Sequence, residues 1–364
     1  MGSKFVEPSI ERKSVMYNQA AAVLLSALAV HAHSQNEFLA VGWAHYANLQ
    51  EGKRICMFSP EDGTFIGYLT EQYDAALSSV QGIAYGPDEH VYVANQLNDT
   101  VARFTRDGDF VEYFLTGSNG IDNIRGIAFL GDDLLVAHAQ SAATSGIDYT
   151  ASSIKRFAPD KTEKQSIVMG FSSWDIHVLD GDKLVIAEDD STQLAAQVHV
   201  YDGLGNDLSS VFTADWPTGF SDSHTAGNYY GVSYTRTLHE FNETTDISSV
   251  TMAIPVNTVA KDVYPLSNGN VLVTTFSDGV HVINPANGHH VLTAHYGYGF
   301  GNITLVDALA CPADVNGDGM VSPTDFNAWI NAFNNNLPEC DQNGDNNCTQ
   351  TDFTAWISNY NEGC

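Results

Sequence analysis

The C-terminal segment carries a duplication in strict register, and nothing else in the chain restricts folding as tightly. Asp314-Val-Asn-Gly-Asp-Gly-Met-Val-Ser-Pro-Thr-Asp325 runs into Phe326-Asn-Ala-Trp-Ile-Asn-Ala-Phe333. Asp341-Gln-Asn-Gly-Asp-Asn-Asn-Cys-Thr-Gln-Thr-Asp352 runs into Phe353-Thr-Ala-Trp-Ile-Ser-Asn-Tyr360. Calcium takes about six to eight oxygen ligands, and a tight loop supplies them from positions 1, 3, 5, 9 and 12 with a carbonyl from position 7. Those positions are Asp314, Asn316, Asp318, Ser322 and Asp325 with the Met320 carbonyl. In the second loop they are Asp341, Asn343, Asp345, Thr349 and Asp352 with the Asn347 carbonyl. Two calcium ions are therefore expected. Position 6 calls for a left-handed backbone, which Gly319 supplies freely and Asn346 tolerates. Three carboxylates in one loop repel each other without metal, so folding should be coupled to calcium.

Behind each loop the spacing predicts a short amphipathic helix. Phe326, Trp329, Ile330 and Phe333 recur at i, i+3, i+4 and i+7, as do Phe353, Trp356, Ile357 and Tyr360. The two stripes should pack on each other, and Pro312 and Pro338 stand where a full EF-hand would have an entering helix. Residues 311–364 thus resemble a dockerin, the duplicated loop–helix module that plugs into cohesin domains. The ending Ala-Trp-Ile-x-x-Tyr-Asn-x-Gly-Cys364 is similar to the Gly-Cys-ending dockerin-type modules of exported planctomycete proteins. The resemblance implies a cohesin-like or cell-envelope docking protein as partner. The positions that carry recognition in cellulosomal dockerins are Pro323-Thr324 and Gln350-Thr351 here, and the segment contains no Lys or Arg, so an ordinary cellulosomal cohesin is not implied.

Four of the five cysteines, Cys311, Cys340, Cys348 and Cys364, crowd into this segment, which suggests an oxidising destination and two disulfides. Three pairings are open. The favoured one joins Cys311 to Cys364 across the module's ends and Cys340 to Cys348 within the second loop. Cys56 stands alone in an apolar run and is expected to be a buried thiol.

Between residues 36 and 310 the chain reads as short β-rich runs broken by Gly, Asp, Asn and Pro, recurring at about 40–50 residues, the sign of a bladed array. Gly82-Ile-Ala-Tyr-Gly-Pro-Asp-Glu-His-Val-Tyr-Val-Ala-Asn95 has echoes beginning at Gly126, Asp175 and Asp262. Units at 38–69, 81–114, 124–168, 174–213, a weak one at 222–254, and 260–295 give six blades, or seven if the weak region is misjudged. The first unit lacks an inner strand, and Asn302-Ile-Thr-Leu-Val306 has the character to supply it. The pattern resembles NHL-repeat and gluconolactonase-type six-bladed propellers. The fold class expected is all-β: a six-bladed β-propeller over 36–310, followed by a small helical, dockerin-like calcium-binding domain over 311–364.

In such an array a pocket forms where inner strands begin and second strands end. Those positions gather Asn95, Arg125, His138, Asp175, Glu188, Asp189, Lys261 and Asp262. An enzyme reading gives Asp175, Glu188, Asp189 and Asn95 a divalent metal and makes His138 a base, as in a lactonase- or lyase-like site acting on a carbohydrate-related substrate. The blander reading is a wet mouth in which Arg125 and Lys261 neutralise the acids. No nucleophile elbow, HExxH, P-loop or dinucleotide fingerprint appears, so no catalytic residue is assigned. Binding of a carbohydrate or another small molecule is the preferred role.

Composition sets the surroundings. Acidic residues number 44 against 15 basic, a net charge of −29, which repels nucleic acid. Lys4, Arg12 and Lys13 precede the apolar stretch Ala20–Val30, with small residues up to Ser34, so residues 1–34 read as a signal peptide. No later run is long enough to span a bilayer. The expected product is secreted or cell-surface, with no transmembrane anchor after cleavage.

Overall fold

The computed structural model describes residues 37–43, 53–71, 74–139, 141, 147–189, 197–212, 215–297, 299–307, 312–316, 322–345 and 347–362. The signal-peptide assignment (1–34), Cys311, Cys364, Asp318, Gly319, Met320 and Asn346 lie outside the described residues. The chain divides into two compact units, one spanning Phe38–Val306 and the other including Asp307–Cys364.

The first unit is a six-bladed β-propeller of four-stranded antiparallel sheets. Five blades are consecutive in sequence. They run β4 (Val80–Tyr85) to β7 (Phe110–Leu115), β8 (Ile124–Leu130) to β11 (Ile167–Val168), β12 (Ser172–Leu179) to β15 (Asp207–Phe212), β16 (Pro217–Asp222) to β19 (Ser248–Ala253), and β20 (Ala260–Pro265) to β23 (His289–His295). The sixth is composite. β24 (Phe300–Val306) supplies its inner strand and pairs antiparallel with β1 (Phe38–Trp43), which continues to β2 (Arg54–Phe58) and β3 (Phe65–Tyr68). The inner strands β24, β4, β8, β12, β16 and β20 neighbour one another in that cyclic order, so the ring closes.

Each blade is a sheet packed between two others, and side chains alternate across a strand. The second strands are therefore apolar on both faces. In β1, Phe38 and Ala40 join a cluster with Leu77, Val91 and Phe104 of the next blade, while Leu39, Val41 and Trp43 join one with Leu266, Leu272 and Val280 of the blade before. In β9 (Asp133–His138), Leu134 and Val136 face one neighbour and Leu135 and Ala137 the other. Among the described residues six such clusters fill the spaces between blades. Each fully buried Phe or Leu in them contributes about 1.5–3 kcal/mol. Cys56 is among these residues, free and fully buried, and burial holds its thiol far above the usual range.

The weak unit of the sequence is a true blade, and its inner strand starts at Pro217, earlier than expected. Pro217-Thr-Gly-Phe-Ser-Asp222 has one large apolar residue, and a register shift at Thr218 interrupts its alternation with β17 (Asn228–Ser233). Every inner strand carries an equivalent shift: between Val80 and Ile83, Ile124 and Ile127, Ser173 and Asp175, Pro217 and Gly219, Ala260 and Asp262, and in β24 opposite Val41–Trp43. At four of these bulges the displaced residue, Gln81, Trp174, Thr218 or Lys261, lines a shared cavity.

The second unit contains two helices, α1 (Pro323–Asn335) and α2 (Gln350–Glu362). Ser322 caps α1 in a capping box with Asp325, Pro323 opens it, and Asn336 ends it in the left-handed conformation at φ 53°. The aromatic members of the stripes meet as expected and symmetrically, whereas Ile330 and Ile357 of the same stripes stay exposed. Phe326 lies 5.1 Å from Trp356, and Trp329 lies 5.4 Å from Phe353. Trp329 Nε1 donates to the Cys340 carbonyl and Trp356 Nε1 to the Ala313 carbonyl, both at 3.2 Å. Each helix thus bonds the residue that precedes the other repeat's loop. Cys340 and Cys348 form a disulfide across the second loop. No described helix is long and apolar enough to cross a membrane.

Candidate functional site

Two places concentrate polar chemistry, one in each unit. In the helical unit the last position of each loop is also the third residue of its helix. Asp325 and Asp352 are both fully buried. Asp325 accepts from the Asn316 amide at 3.2 Å and the Ser322 amide at 2.8 Å. Asp352 accepts from the Gln342 amide at 3.0 Å and the Thr349 amide at 2.7 Å. One carboxylate in each repeat therefore ties loop to helix. Within the second loop, Asp341 Oδ1 accepts from the amides of Gly344 and Asp345, and Asp345 Oδ1 accepts from the amide of Asn347. These bonds curl the backbone around its own carboxylates.

The donor set fits calcium: carboxylate, amide and hydroxyl oxygens, with no thiolate or imidazole among the loop positions. Among the described residues, no three His, Cys, Asp or Glu side chains converge closely enough to hold a metal by themselves. In the second loop the Asn343 and Thr349 oxygens and a carbonyl would thus be needed beside Asp341, Asp345 and Asp352. No Lys or Arg occurs in 311–364 to neutralise these acids.

At the propeller mouth the sequence-derived residues separate into two groups. Asn95, His138 and Glu188 serve their own blades. Asn95 accepts from the Ser78 amide and donates to the Ala76 carbonyl; His138 Nδ1 accepts from the Asp122 amide; Glu188 accepts from the Gln197 amide and lies 3.3 Å from His199 Nε2. They are not gathered with the acids into a metal set.

The others do meet. Arg125 Nη1 and Asp189 form a buried ion pair at 2.5 Å, with Ser172 Oγ also donating to Asp189. Asp175 and Asp262 occupy equivalent positions after their bulges, and each reaches the following blade. Asp175 accepts from the Phe220 amide and from Asn302 Nδ2; Asp262 accepts from the Ile303 amide at 2.7 Å. Burial pushes the Asp175 carboxyl up to about 6. Burial first, and Asp175 second, hold Asp262 well above the usual range. At the equivalent positions in β4, β8 and β16 stand Gly82, Gly126 and Gly219. A Cβ there would come within 2.4 Å of the Arg125 carbonyl, 2.8 Å of Asp175 Cα and 2.3 Å of the Lys261 carbonyl respectively. Inner strands thus touch through backbone wherever no carboxylate bridges them.

Above this layer lies a cavity of about 270 Å³ lined by Lys261, Trp174, Gln81, Thr218, Tyr234 and Phe276, among others. Lys261 Nζ stands 4.3 Å and Arg125 Cζ 3.9 Å from the Trp174 ring centroid. Burial, then the Arg125 charge, bring the Lys261 ammonium down to about 8. Lys261, Gln81 and Trp174 stand at strand starts legible in the sequence, whereas Thr218, Tyr234 and Phe276 do not. Thr218 was hidden with the unrecognised start of β16. Tyr234 and Phe276 each sit one position beyond a second-strand end, just past the positions aligned for Asn95 and His138. Tyr229 and Tyr230, on the strand before Tyr234, are buried in the core.

No curated protein matches the chain. Among solved structures, a protein of unknown function from Bacteroides caccae aligns at TM-score 0.54 and 12% identity, covering 74% of this chain and 98% of its own. A chain of a nidogen/laminin complex aligns at TM-score 0.59 and 14% identity, covering 76% and 100%. At these identities the likeness is one of fold. Residues 312–360 match the dockerin type I domain, a module that binds calcium and docks onto cohesin-type partners. The chain therefore couples a six-bladed β-propeller to a dockerin-type module.

Proposed function

We propose that this chain is an exported propeller binding protein, held at the cell surface or in a secreted assembly through its calcium-dependent tail. The observation that carries the reading is the duplicated loop, whose position-12 aspartates Asp325 and Asp352 are fully buried and join loop to helix. In this reading two calcium ions bind. The first is held by Asp314, Asn316, Asp318, Ser322, Asp325 and the Met320 carbonyl, the second by Asp341, Asn343, Asp345, Thr349, Asp352 and the Asn347 carbonyl. Calcium supplies the positive charge that lets acidic oxygens crowd together without basic residues; the chain supplies the oxygens and the Trp-anchored helix pair. The partner is a cohesin-like or cell-envelope docking protein.

The propeller contributes binding, not turnover. The acids of the enzyme reading are committed elsewhere, Asp189 to an ion pair, Asp175 to the Phe220 amide and Glu188 to its own blade, while the cavity presents aromatic and amide walls.

The test is capture of envelope proteins by the immobilised full chain, in calcium and in chelator, with Asp325→Ala/Asp352→Ala as control. A partner retained in calcium and released by chelator, and not captured by the double variant, is expected. Capture indifferent to calcium, or none, would sink the docking role.

A further inference from the structure

Lys261 and Trp174 line the cavity at the propeller mouth, and beside them stands Arg125. Lys261 is 7% exposed, lines the cavity, and has no hydrogen bond or ion pair among the described residues. Among the described residues, Trp174 Nε1 and Arg125 Nε are buried without a hydrogen-bond partner. The nearby carboxylates are engaged elsewhere: Asp189 with Arg125 and Ser172, Asp175 with Asn302 and the Phe220 amide, Asp262 with the amides of Val263 and Ile303. A buried cation without an acceptor is costly, and an anion entering the cavity would supply one. The walls add shape. Tyr234 and Phe276 are 47% and 42% exposed and flank the opening with Trp174, offering flat apolar surface.

We propose that this cavity binds a small carboxylate carried on a six-membered ring, with Lys261 Nζ as the partner of the carboxylate and Trp174, Tyr234 and Phe276 against the ring. The inference rests on the binding reading of the propeller and names the ligand class of that site. The groups facing Lys261 are Arg125 from β8, Trp174 and Asp175 from β12, Asp189 from β13 (Lys183–Asp189), and Asp262 from its own strand. Burial and Arg125 bring the ammonium down to about 8, with the three acids opposing. The charge is thus present at neutral pH and lost above it, and affinity for an anion falls with it.

The experiment titrates the calcium-loaded full chain with benzoate and with galacturonate, against benzyl alcohol and galactose as neutral counterparts, by calorimetry. One acid at least binds, and its neutral counterpart binds more than tenfold more weakly; which acid binds separates an aromatic acid from a sugar acid. Affinity falls about tenfold for each pH unit above about 8. Lys261→Gln weakens binding about 10- to 100-fold, as loss of a charge-assisted hydrogen bond implies, whereas Lys261→Arg retains most of it. Failure of both acids up to tens of millimolar, equal binding of the neutral compounds, or indifference to Lys261→Gln overturns the proposal. Equal binding of neutral compounds would leave the propeller a binding module with another ligand. Recovery of a converted acid would instead overturn the binding reading and leave the carboxylate assignment standing.

Discussion

The crossed tryptophan bonds in the helical unit predict that damage to one repeat appears in the calcium site proposed for the other. Consider Trp356→Phe. Trp356 is 6% exposed, packs 5.1 Å from both Phe326 and Tyr360, and donates from Nε1 to the carbonyl of Ala313. A phenyl ring keeps part of the stacking but has no donor. Ala313 is fully buried, so its carbonyl loses its partner where water has little access. An orphaned buried acceptor costs about 1–3 kcal/mol, and the lost indole surface about 1 kcal/mol more. Ala313 immediately precedes Asp314, the first ligand proposed for the first loop. If the calcium-bound form alone holds that carbonyl in place, the first site loses about 2–4 kcal/mol, a factor of roughly 30 to 1,000 in affinity. The mirror variant, Trp329→Phe, orphans the Cys340 carbonyl and should weaken the second site instead. The assay is two-site calorimetric titration of calcium into the full chain, with Asp314→Ala and Asp341→Ala assigning the two transitions. Loss confined to the mutated repeat's own loop, or two variants with the same profile, would refute the reasoning.

Three further outcomes follow from geometry already described. Chelation should abolish the helical far-ultraviolet signal of the tail while leaving the β signal of the propeller, because the loops carry acids with no internal cation; a tail still helical without calcium would contradict this. Gly126→Ala and Gly219→Ala should each lower stability by about 3 kcal/mol or more, the upper end of overpacking, since the obstacle is the next blade's backbone. An unchanged thermal midpoint would exclude the close contact. The buried Asp175 gives a pH dependence opposite to that of a paired carboxylate. Its folded value of about 6 lies above the ordinary 3.8, so between those values the unfolded chain releases a proton that the folded chain keeps. Its contribution therefore falls by about 3 kcal/mol as pH rises across that window and is level above it. Urea unfolding of wild type and Asp175→Asn across about pH 4 to 7 isolates the effect, and parallel curves would refute it.

Much of this architecture is legible in the residues because the chain repeats itself. A 3.6-residue stripe behind each loop placed both helices, and the orphaned start at Phe38 pointed to Asn302–Val306 as the missing inner strand, where β24 lies. The inner strand β16 was not legible, since Pro217-Thr-Gly-Phe-Ser-Asp222 has too little apolar alternation to announce a strand. At the mouth, strand ends predict which residues arrive but not which neighbour they meet. Arg125 and Asp189 come from different blades, as do Asp175 and Asn302, and their pairing is a property of the closed ring. The walls Tyr234 and Phe276 were missed by a single position, a shift that local sequence does not resolve.

The composite blade ties the order of synthesis to docking. Residues 300–306 complete the ring begun at Phe38, and the dockerin-type module begins only a few residues later. A ribosome that stops early, or a protease that trims back past Val306, removes the closing strand and the docking module together. Any chain that retains the whole module also retains the strand needed to close the propeller. Under the docking role proposed above, a docked chain is therefore one that carries its closing strand.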